Sequence, residues 1–352
     1  MRWWRPAVIA CAALLAIAPF SPAFVERWYS TGAYPPIQHV LTTASNAVPF
    51  SLFDLLIIVA GGWIAVAFAL DVRSRRRLGW LPLIVRTPFR LFTGAALFAI
   101  AFFACWGLNY RREPVRDKLA FDSGRVSSRR ARDLAQTAVD HVNALYPAAR
   151  AARPAAFEAA ALEPAFAEAE RELGVRHPAA PARPKGTLLD WYFRKAGVDG
   201  MTDPYFLETL VVSGLFPFER PFIVAHEWGH LAGFADESEA NFVGWLACVH
   251  GSEAQQYSGW LYLYSELAGS LRRADMIQVA AHLGDGPRAD LRAVSQRIYG
   301  ERNERVSNAG WRVYDQYLKA NGVDSGTANY GEVVKLILGT TFDASWKPAL
   351  RQ

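Results

Sequence analysis

Cysteine and methionine are scarce in this chain, which has three of each among 352 residues. Cys11 and Cys105 lie in apolar runs and Cys248 in an apolar helical pattern, so the sequence offers no disulfide framework. An apolar helix also raises the pKa of a thiol, so Cys248 is not expected to act as a nucleophile. Enzyme classes built on cysteine chemistry are therefore not expected.

The chain also lacks a stripe of lysine and arginine with interleaved aromatic residues, which is typical of nucleic-acid-binding surfaces. Its formal net charge is +5, and much of that excess comes from residues 71–90, which hold six arginines and one acid. Internal repeats are absent as well. We therefore expect no nucleic-acid partner, and we relate the positive charge to membrane topology.

Apolar runs of near bilayer-spanning length occur three times in the N-terminal third of the chain, at residues 6–24, about 50–70 and about 89–108. They predict three transmembrane helices within a membrane anchor that covers residues 1–110. The arginine-rich loop 71–90 should face the cytoplasm, whereas loop 25–48, with Arg27 as its only strong cation, should face outward. Residues 111–352 are then expected to form an external domain.

The most informative motif is an HExxH pentapeptide that contains His226, Glu227 and His230. On a helix the two histidines lie one turn apart on the same face, where they can bind one Zn²⁺ ion. Glu227 is then placed beside a metal-bound water, which it could deprotonate as a general base. Pro221 suits a first helical turn and Gly233 a helix end, so we predict a helix across this segment.

A catalytic zinc site usually has a third protein ligand, and three acids follow the motif closely: Asp236, Glu237 and Glu239. In the helical pattern that starts at Glu237, this glutamate shares a face with Asn241, which could orient one of the histidines. The pair resembles the ExxA(D/N) signature of gluzincin-type metallopeptidases. That resemblance favours Glu237 as the third ligand.

Asp236 is the main alternative, because HExxH-x-x-G-x-x-D also describes a metzincin-like arrangement with an aspartate ligand. Metzincins continue to a Met-turn, however, and none of Met1, Met201 and Met276 offers a convincing one. Glu239 is the third option. The helix dipole also favours carboxylates at a helix start that bind no metal. We expect this to be the role of two of the three acids.

Five segments carry a broader resemblance: PFSLFDLL (49–56), CWGLNYRREP (105–114), HEWGHLAGFADESEANFVGWLAC (226–248), YSGWL (257–261) and VYDQYLKANGV…NYGEVVKLIL (313–338). Together they resemble the bacterial domain-of-unknown-function 3810 family, which comprises membrane-anchored proteins grouped with gluzincin-like metallopeptidases. The pattern HExxH-x-x-G-x-x-x-E-x-E-A-N falls on His226, Glu227, His230, Gly233, Glu237, Glu239, Ala240 and Asn241. The resemblance implies zinc, peptidase-like hydrolysis and a bacterial inner membrane location, without a particular substrate.

We therefore predict a mainly α protein with N-terminal transmembrane helices and an external zincin-like α+β metallopeptidase domain that contains a small sheet. The expected activity is zinc-dependent peptide-bond hydrolysis, with Zn²⁺ bound by His226, His230 and Glu237 and with Glu227 as general base. Its partners would be a peptide or protein substrate and the lipid bilayer. The alternatives are a non-catalytic zinc-binding membrane adaptor or scaffold, which would not need Glu227, and an intramembrane metalloprotease. The latter needs the motif inside a membrane span, and the three acids that follow the motif argue against that position.

Three further expectations concern the surroundings of the motif. Residues 205–212 have strand composition and could pair with an extended substrate as an edge strand, or form a plain core strand. Residues 127–176 predict long helices broken around Pro147 and Pro154. The candidate donors to a developing oxyanion are Tyr257, His250, His282 and Tyr330.

Overall fold

The computed structural model describes residues 4–80, 82–153, 157–321, 323 and 332–351. The protein is mainly helical, as predicted, and has a small two-stranded antiparallel sheet. The α-helices are α1 (Trp4–Ile17), α2 (Pro22–Val25), α3 (Tyr34–Asn46), α4 (Leu52–Leu78), α5 (Thr87–Cys105), α6 (Val115–Lys118), α7 (Ser128–Ala152), α8 (Glu163–Glu172), α9 (Asp190–Ala196), α10 (Arg220–Leu231), α11 (Glu237–Val249), α12 (Glu253–Ser270), α13 (Arg273–Ala281), α14 (Asp285–Glu301), α15 (Glu304–Ala320) and α16 (Glu332–Gly339). The strands are β1 (Gly200–Thr202) and β2 (Thr209–Val211). Short π-helical and 3-10 segments cover Glu26–Ala33, Pro82–Arg86, Gly107–Arg111, Ser123–Arg125 and Ala159–Leu162.

Among the described residues, two helical segments are long and apolar enough to cross a membrane, Leu52–Ser74 and Leu83–Cys105. They correspond to the second and third predicted spans. The predicted first span is not one straight helix, because the chain bends by 116° between α1 and the helical segment Pro22–Asn46. Ser21 caps the second of these helices and Pro22 occupies its first turn, so a new helix begins where the prediction continued the old one. The bent pair adds a third span only if it crosses the membrane as one unit.

The segment predicted as an external loop, residues 25–48, is helical instead and packs into the core of the protein. Tyr34 is buried, and its hydroxyl donates a hydrogen bond to the carbonyl of Leu231 at 2.7 Å. Trp106, which follows α5, belongs to the same hydrophobic cluster as Trp228. A single packed core therefore extends across the predicted domain boundary at residue 110.

A buried ion pair lies beside the start of α4. Lys185 Nζ donates to Glu208 Oε1 at 2.6 Å, and the two side chains are 2% and 0% exposed. Glu208 also accepts hydrogen bonds from the backbone N–H groups of Leu52 and Phe53, at 3.1 and 3.0 Å. These N–H groups begin α4, where the helix dipole favours a negative charge. Glu208 therefore caps the helix that has the composition of a membrane span.

The break predicted at Pro147 is wrong, because α7 continues through that residue to Ala152. A proline inside a helix removes one backbone donor and destabilises the helix locally. The apolar face of α7, which includes Ala138 and Val142, is fully buried and packs against α12, so tertiary contacts hold the helix together. The break predicted at Pro154 lies outside the described residues.

The strand predicted at residues 205–212 is shorter in the structure and covers only β2. Asp203 accepts hydrogen bonds from the backbone N–H groups of Tyr205 and Phe206, at 3.0 and 2.7 Å, and these bonds fold the first part of the segment into a turn. β2 pairs with β1 on one side and is bridged by Lys185 on the other. β2 is thus an inner strand, and the edge-strand interpretation of this segment is wrong.

Candidate metal centre

The HExxH motif lies on α10, which has Pro221 in its first turn. The helix ends before Gly233, which has a φ of +83°, a conformation that glycine adopts readily. The predicted helix and both of its end signals are confirmed. α10 crosses α11 closely, because a Cβ atom at Gly244 of α11 would lie only 2.8 Å from the backbone nitrogen of His226. This close approach brings the first turn of α11 beside the two histidines.

The two histidines face one carboxylate. Glu237 Oε2 lies 3.5 Å from His226 Nε2 and 3.6 Å from His230 Nε2. Within the described part of the chain, this is the only group of three or more His, Cys, Asp or Glu side chains whose ligand atoms all lie within 4.8 Å of one another. The structure therefore brings together the three residues that the sequence indicated as metal ligands.

The two competing acids have other partners. Asp236 is the N-cap of α11 and accepts hydrogen bonds from the backbone N–H groups of Ser238 and Glu239, at 2.9 and 3.3 Å. Glu239 Oε1 accepts a hydrogen bond from the backbone N–H of Val115 at 2.6 Å. Neither carboxylate belongs to the group formed with the histidines. The geometry favours Glu237 over both.

The donor set fits a zinc ion. Tetrahedral ligands at about 2.0–2.1 Å from zinc lie about 3.3–3.4 Å from one another. The distances from Glu237 Oε2 to the two imidazole nitrogens, 3.5 and 3.6 Å, are close to that spacing. Glu237 Oε2 is also buried without a hydrogen-bond partner among the described residues, although buried carboxylate oxygens are normally satisfied. A zinc ion held by His226, His230 and Glu237 would satisfy it.

Hydrogen bonds from the surroundings orient two of the three candidate ligands. His230 Nδ1 lies 2.8 Å from the carbonyl oxygen of Phe234, so the ring donates from Nδ1 and presents Nε2 towards Glu237. The hydroxyl of Tyr314 donates to Glu237 Oε1, which leaves Oε2 facing the histidines. Contacts of this kind fix the tautomer and direction of a metal ligand before the ion binds.

The charge states of the group suit a cation. Burial lowers the pKa of His226 to about 4, although a hydrogen bond with the Asn241 side chain acts in the opposite direction. This imidazole is therefore neutral at neutral pH. Burial alone would raise the pKa of Glu237, but the adjacent His230 lowers it to about 2. Burial lowers the pKa of His230, yet Glu237 raises it to about 9. A zinc ion would therefore displace a proton from His230 and find the other two ligands already in their binding forms.

Glu227 lies beside this group, with its carboxylate directed at β1. The side chain is buried, and its Oε2 accepts a hydrogen bond from Thr202 Oγ1 at 2.8 Å. A Cβ atom at Gly200 would lie 2.6 Å from Glu227 Oε1, so only glycine leaves room for this carboxylate. Burial raises the pKa of Glu227 to about 7, which suits a group that accepts and returns a proton near neutral pH.

A cavity of about 1160 Å³, which we call the site groove, opens onto these residues. It exceeds the usual volume of a small-molecule pocket. Both histidines, Glu227 and Glu237 contribute to its wall. The remainder of the wall is largely apolar and aromatic and comes from α5, α9, α15, β1 and the start of α4.

None of the described candidates for the oxyanion donor lines the site groove. Tyr257 donates to an aspartate of α14 at 2.6 Å, and His250 pairs with a glutamate of α8 at 2.7 Å. His282 is also missing from the groove wall, and Tyr330 lies outside the described residues. The hydroxyl of Tyr314, by contrast, lines the groove and contacts the candidate ligand Glu237 directly.

The sequence did not identify Thr202 and Tyr314, although both contact the motif residues. Thr202 lies 25 residues before Glu227, and Tyr314 lies 77 residues after Glu237. The spacing of Gly310, Val313, Tyr314 and Tyr317 marks one helix face. That spacing groups these residues on one side of α15, but it cannot show that this side meets the candidate metal ligands.

Comparison with known protein families gave a match that covers most of the chain. A family model described as "Protein of unknown function (DUF3810)" matches residues 29–338. No curated protein and no solved structure matches the chain. The matched residues include both membrane-length helices and every residue of the candidate metal centre. The chain therefore belongs to the DUF3810 family.

Proposed function

We propose that this protein is a membrane-anchored zinc metallopeptidase that hydrolyses peptide bonds. The observation that best supports the proposal is the convergence of His226, His230 and the unsatisfied Glu237 Oε2 beside the buried carboxylate of Glu227. A structural zinc site is closed by four protein ligands, whereas this group offers three among the described residues and opens onto the site groove. It leaves room for water and substrate, as a catalytic site requires.

The residues around the metal group suit acid–base chemistry. A zinc ion bound there would supply a Lewis acid that polarises a peptide carbonyl and lowers the pKa of a water molecule. Glu227 would accept the proton of that water and return it to the leaving amine. Hydrogen bonds from the hydroxyl and the backbone N–H of Thr202 hold this carboxylate beside the metal group.

The outer side of β1 can align an extended substrate beside Glu227. The carbonyl of Asp199 and the N–H of Asp203 bond towards β2, so the backbone groups of the alternate residues Gly200 and Thr202 point away from it. No described strand covers that side of β1. The Thr202 N–H on that side bonds to the Glu227 carboxylate, so a substrate backbone could pair through the N–H and carbonyl of Gly200 and the carbonyl of Thr202. Such pairing would present the scissile bond to the metal group.

The same proposal places the site on the outer side of a bacterial inner membrane. The segment predicted as an arginine-rich loop, residues 71–90, is largely helical and comprises the end of α4, the start of α5 and the short connection between them. α4 and α5 would cross the membrane in opposite directions, with this segment in the cytoplasm. Both outer ends of this helix pair then lie outside, whether or not the bent N-terminal segment also crosses. The multi-pass topology and the external position of residues 111–352 follow from that arrangement.

Reporter fusions test this topology. A phosphatase reporter that is active only outside the cytoplasm should be inactive after Arg77 and active after Lys118, because positively charged loops remain inside. A reporter that is active only in the cytoplasm should give the reverse result at both positions. If the fusion after Lys118 reports the cytoplasm, the site faces internal substrates and the proposed localisation is wrong.

Metal analysis of the purified full-length protein tests the ligand set. Glu237→Ala should lose most of the bound zinc, because two remaining protein ligands hold the ion poorly. Asp236→Asn keeps the helix cap and Glu239→Gln keeps the acceptor for Val115, so both control variants should retain zinc. Full zinc in Glu237→Ala, combined with loss in either control, would assign the third ligand to a neighbouring acid.

Cleavage of a randomised peptide library by the same preparation tests the enzymatic activity. The zinc-loaded protein should cleave peptides, a chelator should stop the cleavage, and added zinc should restore it. A protein that binds zinc stoichiometrically and cleaves nothing would instead support a zinc-binding adaptor, for which the metal ligands are sufficient.

A further inference from the structure

One wall of the site groove belongs to the helices that are long enough to cross a membrane. The residues that α4 and α5 contribute are Phe53, Ala95, Phe98, Ala99 and Phe102. Ala95 precedes Cys105, the last residue of the second membrane-length segment, by ten residues. At a rise of 1.5 Å per residue this distance is about 15 Å, roughly half of the hydrocarbon thickness of a bilayer. The groove therefore extends from the metal ligands along a membrane-like helix.

A second part of the wall belongs to α15. Its lining residues are Val306, Ala309, Gly310, Trp311, Val313, Tyr314 and Tyr317, and all of them except Trp311 recur at spacings of three and four. Val313 is 69% exposed, and Trp191 of α9, which also lines the groove, is 62% exposed. Large apolar side chains that remain exposed beside a groove indicate a surface that receives an apolar partner.

Charged side chains are confined to the catalytic end of the groove. Among the described residues that line it, none is a lysine or arginine, and the acids are Glu227 and Glu237. A phospholipid head group would require cationic donors for its phosphate, and this wall provides none. The apolar side chains of a polypeptide need no such donors, and the free side of β1 suits a peptide backbone. The groove therefore fits a polypeptide better than a lipid.

We propose that the site groove receives the apolar, membrane-embedded segment of a polypeptide substrate, which is cleaved close to the point where that segment leaves the bilayer. This inference rests on the proposed peptidase function and names its substrate class. The apolar side chains of the substrate lie between α5 and α15. The adjoining extended backbone follows β1 to Glu227.

Full-length zinc-loaded protein in lipid vesicles allows a direct test with matched libraries. One randomised peptide library is fused to an alternating Leu-Ala span of about 20 residues. A second copy is attached to the same vesicles by a lipid anchor, which gives the same surface concentration without a polypeptide span. We expect the span-fused library to be cleaved at least about tenfold faster, with cuts next to the span, because only the span can bury its side chains in the groove.

A charge on the groove wall should remove this preference. Val313→Glu alters an exposed position, so the fold should persist, while the ratio of span-fused to lipid-anchored cleavage should fall at least about tenfold. The matched control is Tyr299→Glu on α14, which is 78% exposed and outside the groove, and it should leave the ratio unchanged.

A photocrosslinking residue at position 313 or 299 of the Glu227→Gln protein reports binding independently of cleavage. A Leu-Ala span peptide should be captured at position 313 and not at 299. Equal cleavage of the two libraries, preferred cleavage of the lipid-anchored one, or no capture at 313 would overturn the substrate class and leave the peptidase proposal standing. Capture at 313 without cleavage of any library would overturn the peptidase proposal and retain the groove as a binding site for apolar spans.

Discussion

Glu227→Gln is expected to lower peptide hydrolysis by about 10²–10⁴-fold, the usual cost of losing a general acid–base group. The amide cannot accept a proton at neutral pH, yet its oxygen can still accept the hydrogen bond that Thr202 Oγ1 donates. Glu227 is not one of the three grouped ligands, so zinc content and folding should match those of the unaltered protein. Turnover and metal content are measured on the same preparation.

The control for this variant is Glu239→Gln, the same change at a second buried glutamate that is not part of the metal group. It should retain both zinc and turnover. A protein that only binds a partner gains nothing specific from a carboxylate at position 227. Full rescue of a deletion phenotype by Glu227→Gln in cells would therefore overturn the catalytic interpretation, even if the variant binds zinc. Loss of rescue with zinc retained would show that the cell uses the chemistry and not the metal alone.

Lys185→Met is expected to destabilise the protein by about 3–5 kcal/mol, because it leaves the Glu208 carboxylate buried without its counter-ion. Burial alone would raise the pKa of Glu208, but Lys185 and the two N–H groups at the start of α4 lower it. This stabilisation is present above the ordinary pKa of glutamate and is lost as the pH falls through the lowered pKa of Glu208. Thermal unfolding in detergent at neutral pH measures the difference.

Lys335→Met provides the matched control, because Lys335 pairs with Glu332 at the surface and is 58% exposed. An exposed pair contributes about 0–1 kcal/mol, so this variant should unfold close to the unaltered protein. Similar midpoints for the Lys185 and Lys335 variants would mean that the buried pair contributes no more to stability than the exposed one. A selective drop for Lys185→Met would show that the Glu208 carboxylate at the start of α4 needs its buried counter-ion.

Local patterns in the sequence were sufficient for the helix that carries the motif. The spacing of His226 and His230 fixes a shared face, and Pro221 and Gly233 mark the ends of α10. The two long apolar runs likewise predict their helices, since composition over about twenty residues is a local property. The bend after α1 also had a local signal in Ser21-Pro22, which has the form of a helix start.

To choose the third metal ligand among Asp236, Glu237 and Glu239, one must know at which residue α11 begins, because all three acids lie within one turn. Asp236 and Glu239 have the N-cap and N3 spacing of a capping box. This spacing is visible in the sequence and identifies Asp236 as a helix cap rather than a metal ligand. Thr202, Tyr314 and the site groove depend on contacts between distant segments. No periodicity within a segment encodes such contacts, so only the folded chain reveals them.

The contact between Tyr34 and the end of α10 has a consequence for how the chain can be divided. The last carbonyl groups of α10 accept hydrogen bonds from Tyr34 and Trp106, which precede their acceptors by 197 and 124 residues. A fragment that begins after residue 110 would lack both donors, although it would contain the whole HExxH motif. Carbonyl groups at a buried helix end need partners, so the motif region depends on the N-terminal third of the chain for the end of its own helix.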